Sequence, residues 1–278
     1  ALAKAGDEII LPEPYYLNHL MWLEMLGIKA KLMPFKPDQN GIPTPLDAER
    51  LLTKKTKAIV LISPNNPTGA IYPPDIITSF YEFAREKEIA LIIDETYKDF
   101  LGSIQPHSLF QKKQWEETFI QIYSFSKVFS LTGYRVGSII AGEKTIQSIT
   151  KIMDTLAICA PRISQDAALF GLANLSNWVS KKQKIIKERC DFVQGLFQSK
   201  DINFEVVSCG AYFAYIKHPF VELSARQVAM KLAKQANILC LPGTFFGPNQ
   251  EHFLRFAFAN ASIEEMTLVE ERLRQYYD

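Results

Sequence analysis

From residue 8 to about 141 the chain alternates short apolar runs with amphipathic stretches of helical length. The runs are EIIL at 8–11, IKAKLM at 28–33, KAIVLIS at 57–63, IALIID at 89–94, TFIQIYS at 118–124 and RVGSIIA at 135–141. Runs buried on both faces and separated by helices predict an α/β fold with an open, mostly parallel sheet sandwiched by helices. Such a sheet binds ligands beyond the carboxyl ends of its strands, so the polar residues that end the runs become the candidates for chemistry.

From about 143 to 199 the period becomes helical, in KTIQSITKIMDTLA, ISQDAALFGLANL and NWVSKKQKIIKERCDFVQGLFQSK. The third stretch is long and basic on its polar face, suited to bridging two lobes. The strand-like FEVVS, AYFAYIK, NILCLPG and FLRFAFA then interleave with the helical SARQVAMKLAKQA and IEEMTLVEERLRQYY. The expected organisation is a large domain over 1–160, connecting helices over 161–199 and a smaller C-terminal α+β domain over 200–278.

Charge changes this picture little. Lysine and arginine number 31 against 30 acidic residues, which leaves no electrostatic footprint for nucleic acid or an anionic membrane. No apolar run reaches the ~18 residues of a membrane span, and the first residues carry no signal-peptide pattern, so the sequence reads as cytoplasmic. Cys159, Cys190, Cys209 and Cys240 show no metal-ligand spacing and are expected to be reduced and mostly buried. The histidines at 19, 107, 218 and 252 are scattered, and each reads as a surface or core residue.

Three consecutive strand ends deliver complementary groups to one rim. KAIVLIS runs into PNNPTG with Asn65 and Asn66; IALIID ends in Asp94, followed by Glu95, Thr96 and Tyr97; TFIQIYS ends at Ser124, with Lys127 just beyond. The intervals between Asn66, Asp94 and Lys127 each fit one strand–helix–strand unit. Read singly, the asparagine turn is an ordinary loop and Asp94 a helix cap. Read together, an amide, a carboxylate and a primary amine suit an aldehyde cofactor whose ring nitrogen needs an anion, which describes pyridoxal phosphate. Ser124, Ser126 and Arg135 are placed to hold its phosphate. Arg255, between phenylalanines in FLRFAF, is either a surface ion pair or a fork for a carboxylate in a closed site.

The stretches AGDEIILPEPYY, SPNNPTG, DETY, SFSKVFSLTGYRVG, LPGTFFG and FLRFAFAN, in this order, resemble the class I/II aminotransferases, pyridoxal-phosphate enzymes of fold type I. The resemblance implies ping-pong transfer of an amino group between an amino acid and a 2-oxo acid. A carbon–sulfur β-lyase of the same fold and a non-catalytic ligand-binding relative are the alternatives. It further implies a catalytic set of Lys127, the cofactor's covalent anchor and proton carrier, Asp94 beneath the ring nitrogen, and Tyr97. Asn66 and Tyr97 would bond the ring's 3′-oxygen, and Tyr16, with Tyr15 as rival, would stack on the ring face. Ser124 and Arg135, with Ser126, would bind phosphate; Arg255 would bind the substrate α-carboxylate, with Asn66 also on the substrate side. The Asn66–Pro67 bond is expected to be cis. By the same resemblance residues 1–5 would be the tail of a helix, with a first strand and a phosphate-binding helix lying upstream. The 278 residues alone are then expected to expose an unpaired edge and to be an incomplete enzyme, and the full-length chain to be a homodimer.

Overall fold

The computed structural model describes residues 1–102, 104–199 and 202–275. Six of the apolar runs form one sheet: β1 (Glu8–Pro12), β2 (Lys29–Met33), β3 (Thr56–Ile62), β4 (Ala90–Asp94), β5 (Phe119–Ser124) and β6 (Gly137–Ile140). Their order is β2-β1-β3-β4-β5-β6, parallel throughout except between β5 and β6. The helices between and beyond them are α1 (Leu17–Met25), α2 (Pro45–Glu49), α3 (Pro74–Glu86), α4 (Phe125–Val128), α5 (Glu143–Leu156), α6 (Arg162–Asn174) and α7 (Ser176–Phe197). A second sheet, in the order β7-β8-β10-β9, contains β7 (Glu205–Gly210), β8 (Phe213–Lys217), β9 (Leu241–Pro242) and β10 (Phe253–Ala257). It is antiparallel and carries α8 (Ala225–Gln235) and α9 (Ile263–Gln275).

The central strands are buried because both faces are largely apolar, β3 from Ala58 to Ile62 and β4 at Leu91 and Ile93. α3 starts on Pro74, whose fixed φ suits a first helical position, and turns Ile77, Phe80, Tyr81 and Ala84 onto the sheet at helical spacing. α8 starts with a capping box between Ser224 and Gln227 and buries Ala225, Val228, Ala229 and Leu232. α7 does bridge: its Ile186 and Val193 join one apolar cluster with Tyr97 and Phe100, which follow β4, and with Phe213, Ile216 and Leu254 of the second sheet.

Three expectations fail. Residues 1–5 form no helix: 1–4 have no regular structure and the chain turns at Ala5 and Gly6, where Gly6 has φ +86°. β6 is not buried on both faces; Ile139 and Ile140 are 40% and 42% exposed on an edge strand. β9 shrinks to two residues because Pro242 donates no ladder bond and Gly243 begins a 3-10 turn. Among the described residues no helix is long and apolar enough to cross a membrane.

Candidate active site

The strand order reverses between β1 and β3, because β1 leads outward to β2 while the chain returns through β3 to β4 and β5. The crevice at such a switch point is where open α/β sheets bind ligands. A cavity of about 660 Å³ opens there, and Tyr16, Asn66, Asp94, Tyr97, Ser124, Ser126, Lys127, Arg135 and Arg255 all line it. The structure therefore brings together every residue given a role at the cofactor or substrate; of the other strand-end residues, Asn65 turns into its own loop, Glu95 pairs with His107, and Tyr15, the rival of Tyr16, faces the apolar cluster of β1 and β3.

Each side chain is placed by the element that ends beneath it. Asn66 leaves β3 through a turn whose Asn66–Pro67 bond is cis, as are Glu13–Pro14 and Ser63–Pro64. Within that turn Asn65 accepts from the Thr68 amide at 3.1 Å and hydroxyl at 2.9 Å, which fixes its shape. Gly69 has φ +73°, and a Cβ there would collide with the backbone oxygen of Phe213, so only glycine permits the turn to touch the second sheet. Ser124 ends β5 and accepts from the Ser126 amide at 3.3 Å, opening the four-residue α4 that carries Lys127. Arg135 holds a left-handed backbone at φ 53°, a strained state for a residue with a side chain, and such strain clusters at binding sites.

The electrostatics are unusual for a fold interior. Burial pulls the Asp94 carboxyl upward, but hydrogen bonds from His19 and Thr96 and the neighbouring His19 ring outweigh it and hold the group below the usual carboxylate range. Asp94 Oδ1 accepts from the Thr96 hydroxyl at 2.6 Å and amide at 3.0 Å, and Oδ2 lies 3.4 Å from His19 Nε2. The aspartate is thus a fixed anion and not a helix cap. Lys127 is lowered too, which for an amine favours the neutral form: partial burial, then the Arg135 and Arg255 charges, lower its proton affinity. Among the described residues its Nζ has no hydrogen-bond or ion-pair partner.

Arg255 on β10 donates to Asn66 Oδ1 at 3.0 Å, while its guanidinium lies 4.7 Å from the Phe213 ring centre and 4.9 Å from that of Phe246. Its Nε is buried without a partner, and among the described residues it meets no carboxylate. The surface ion-pair alternative is excluded by this geometry. Phe246 is wholly buried beneath the arginine, whereas its neighbour Phe245 is half exposed.

Sequence reasoning missed four neighbours. His19 was grouped with structural histidines, yet it sits one helical turn after Tyr16 and packs edge-on against it at 5.4 Å. That i, i+3 spacing was the available signal. Thr96 braces Asp94, a role common for a hydroxyl two residues after an aspartate. Tyr212 and Phe213 reach the cavity from the start of β8, and Tyr212 donates to the Lys127 carbonyl oxygen at 3.3 Å. Only tertiary contact reveals these last two. The remaining histidines are structural: His107 is buried 3.1 Å from Glu95, and His218 bonds the Glu251 carbonyl.

Donor and acceptor chemistry match pyridoxal phosphate. A primary amine of lowered proton affinity suits its aldehyde, a buried fixed carboxylate its ring nitrogen, and Ser124, Ser126 and Arg135 its phosphate. The orphaned Nε of Arg255 marks a second place for an anion.

Comparison with known proteins agrees with this geometry. The family model for aminotransferase class I and II matches residues 1–273. A putative aminotransferase of Bacillus subtilis, YugH, is 30% identical over 99% of this chain and 71% of its own length. An aspartate aminotransferase of Sulfurisphaera tokodaii is 29% identical, over 91% of this chain and 65% of its own. The crystal structure of an aromatic aminotransferase from Pyrococcus horikoshii superposes with a TM-score of 0.91 at 25% identity, covering 98% of this chain and 74% of that one. The chain spans 65% to 71% of the length of these two curated relatives. With the family matched along nearly its whole length, this chain belongs to the class I and II aminotransferases.

Proposed function

We propose that this aminotransferase uses pyridoxal 5′-phosphate, held by Lys127, to move an amino group from an amino acid to a 2-oxo acid in two half-reactions. The observation that carries the reading is Lys127 itself: an unpaired amine of lowered proton affinity, in a cavity wall that also holds a fixed anion and a half-satisfied arginine. When bound, the cofactor supplies an aldehyde that joins amines covalently and a ring that withdraws electrons from the substrate.

The chain's own residues do the rest. Arg255 grips the substrate α-carboxylate as a planar fork held between two aromatic rings, which sets the direction in which Cα is presented. Lys127 Nζ is the base that takes the proton from Cα and returns it, a role that needs an amine neutral near working pH. Asp94, kept ionised by His19 and Thr96, holds a proton on the ring nitrogen. Tyr97, whose hydroxyl is pushed far above its ordinary value by burial and by the Asp94 charge, stays protonated and donates to the ring oxygen beside Asn66. Tyr16 covers the ring face. Ser124, Ser126 and Arg135 anchor the phosphate.

A homodimer is the proposed assembly. α5 buries none of its residues, and with α6 and the turn between them it turns Leu156, Ile158, Ile163, Leu169 and Phe170 outward, an apolar surface suited to a second copy.

Borohydride reduction of the cofactor-loaded protein, followed by peptide mapping, tests the assignment. The label is expected on the peptide containing Lys127 and is lost in Lys127→Ala. Conversion of the amino form of the cofactor back by a 2-oxo acid is the expected second half-reaction. Label on another lysine, or no response to any 2-oxo acid, overturns the reading.

A further inference from the structure

Where α7 packs on the second sheet, two thiols meet that transamination does not use. Cys190 on α7 and Cys209 on β7 place their sulfurs 3.0 Å apart, and the bond length of a disulfide is ~2.05 Å. They come from different elements, 19 positions apart in sequence, and meet where the helix lies on the strand. The expectation of mostly buried cysteines holds only for Cys240, since Cys190 and Cys209 are half-buried and Cys159 is exposed.

Access and reactivity are both provided. Cys209 lines a cavity of about 390 Å³ between Gln194 and Gln198 of α7, Ser208 of β7, and Ile71 beyond the Asn66 turn. A small oxidant thus reaches Cys209 without unfolding, and Cys190, itself half-buried, lies 3.0 Å from that sulfur. Hydrogen bonding from Cys209 makes the Cys190 thiol more acidic against the opposing effect of burial, so Cys190 is the better nucleophile. Cys240, by contrast, is pushed up to about 12 by burial and stays inert.

We propose that Cys190 and Cys209 are a redox-responsive pair, closed to a disulfide by a hydroperoxide and reopened by a thiol reductant. The Cys190 sulfur attacks one peroxide oxygen, the O–O bond breaks, and with hydrogen peroxide one water leaves, giving a sulfenic acid. The Cys209 sulfur then displaces that hydroxyl as a second water, and the S–S bond forms. Two thiols and one hydrogen peroxide give one disulfide and two waters; the sulfurs lose two electrons and the peroxide takes them. Two reductant thiols reverse the bond by exchange.

The bond fastens the bridging helix to the strand on which the active-site turn rests. Ser208, next to Cys209, donates to the Thr68 carbonyl at 2.8 Å, two residues from Asn66. Closing a loop of this size restricts the unfolded chain, so the oxidised protein is expected to melt several degrees higher than the reduced one.

The test treats the cofactor-loaded protein with hydrogen peroxide, blocks free thiols with an alkylating agent, and maps peptides without reduction. A cross-linked peptide joining Cys190 to Cys209, reversed by dithiothreitol together with the rise in melting temperature, is the expected result. Cys190→Ser removes both signals, and Cys209→Ala repeats the control if that variant folds poorly. Alkylation of both thiols after oxidation, or a bond through Cys159 instead, overturns the proposal.

Discussion

Two regions of this molecule break the ordinary burial rule in opposite senses. In the cavity at the ends of β3, β4 and β5, charged groups lie inside: Asp94 is 9% exposed and held by His19 and Thr96, and Arg255, reaching in from β10, keeps a buried Nε with no acceptor. Along α5 and α6, apolar groups stand outside: Leu156 is 70% exposed and Leu169 66%. A buried charge without full pairing costs several kcal/mol, whereas exposed apolar surface costs only about 25 cal/mol per Å². The first region therefore stores more free energy in fewer atoms, and its complement must be small, polar and specific. The second spreads a weak penalty over a broad face, and its complement is a surface of similar breadth.

The comparison breaks most visibly at Asp94. Asp94→Asn keeps the side-chain shape and removes the charge that His19 and Thr96 hold in place. Turnover is expected to fall at least a hundredfold, since a fixed charge opposite a developing one is worth ~3 kcal/mol or more. Near-normal steady-state kinetics in the variant would mean that the buried anion is structural, and the contrast between the two regions would lose its functional half.

Arg255→Lys is the next largest effect. The lysine keeps the charge but loses the fork, the stacking on Phe213 and Phe246, and the bond to Asn66. KM for the amino donor is expected to rise ten- to a hundredfold, or about 1.5–3 kcal/mol for a charge-assisted bond, with a smaller change in kcat. A fall in kcat at constant KM would move the arginine from substrate binding to the chemical step.

The apolar face yields a smaller and different signal. Leu169→Glu, with its side chain already in solvent, should leave melting of the isolated chain within ~0.5 kcal/mol of the original. Sedimentation should show weakened self-association. An unchanged oligomeric state would exclude this part of α6 from the contact.

These contrasts were unequally legible in the sequence. The strand-end groups could be read because periodicity locates the strands and parallel topology fixes which ends share a rim; that placed Asn65, Asn66, Asp94 and Lys127 there, while the choice of Asn66 over Asn65 came from the family resemblance. Arg255 was ambiguous, because its partners Phe213 and Phe246 arrive from a different strand and a distant turn. His19 was missed for a similar reason: an i, i+3 relation to Tyr16 matters only once Asp94 is known to lie beside α1. The exposed face was harder still. ISQDAALFGLANL has the apolar content of a buried helix, and only the fold shows that Leu169, Phe170 and Leu172 point away from the core. Likewise RVGSIIA reads as an interior strand, and its edge position depends on how many strands lie beyond it.

The smallest effect is also the one that separates function from folding at a single residue. In the protein without cofactor, Lys127 holds its proton less readily than it would in the unfolded chain, through burial and the Arg135 and Arg255 charges. Below its folded-state value both states carry the proton, and the folded state bears the full penalty. Between that value and the ordinary lysine range the unfolded chain binds more protons, so stability rises with pH and the penalty fades. Lys127→Met should therefore melt higher than the parent at neutral pH, by about 2 °C given that the side chain is only partly buried. The gap should narrow as pH climbs toward the ordinary lysine range, because the burial of methionine itself does not depend on pH. A variant that melts lower at every pH would show that Lys127 stabilises the fold, and an amine that helps folding would no longer stand with Arg255 among groups kept at a cost for chemistry.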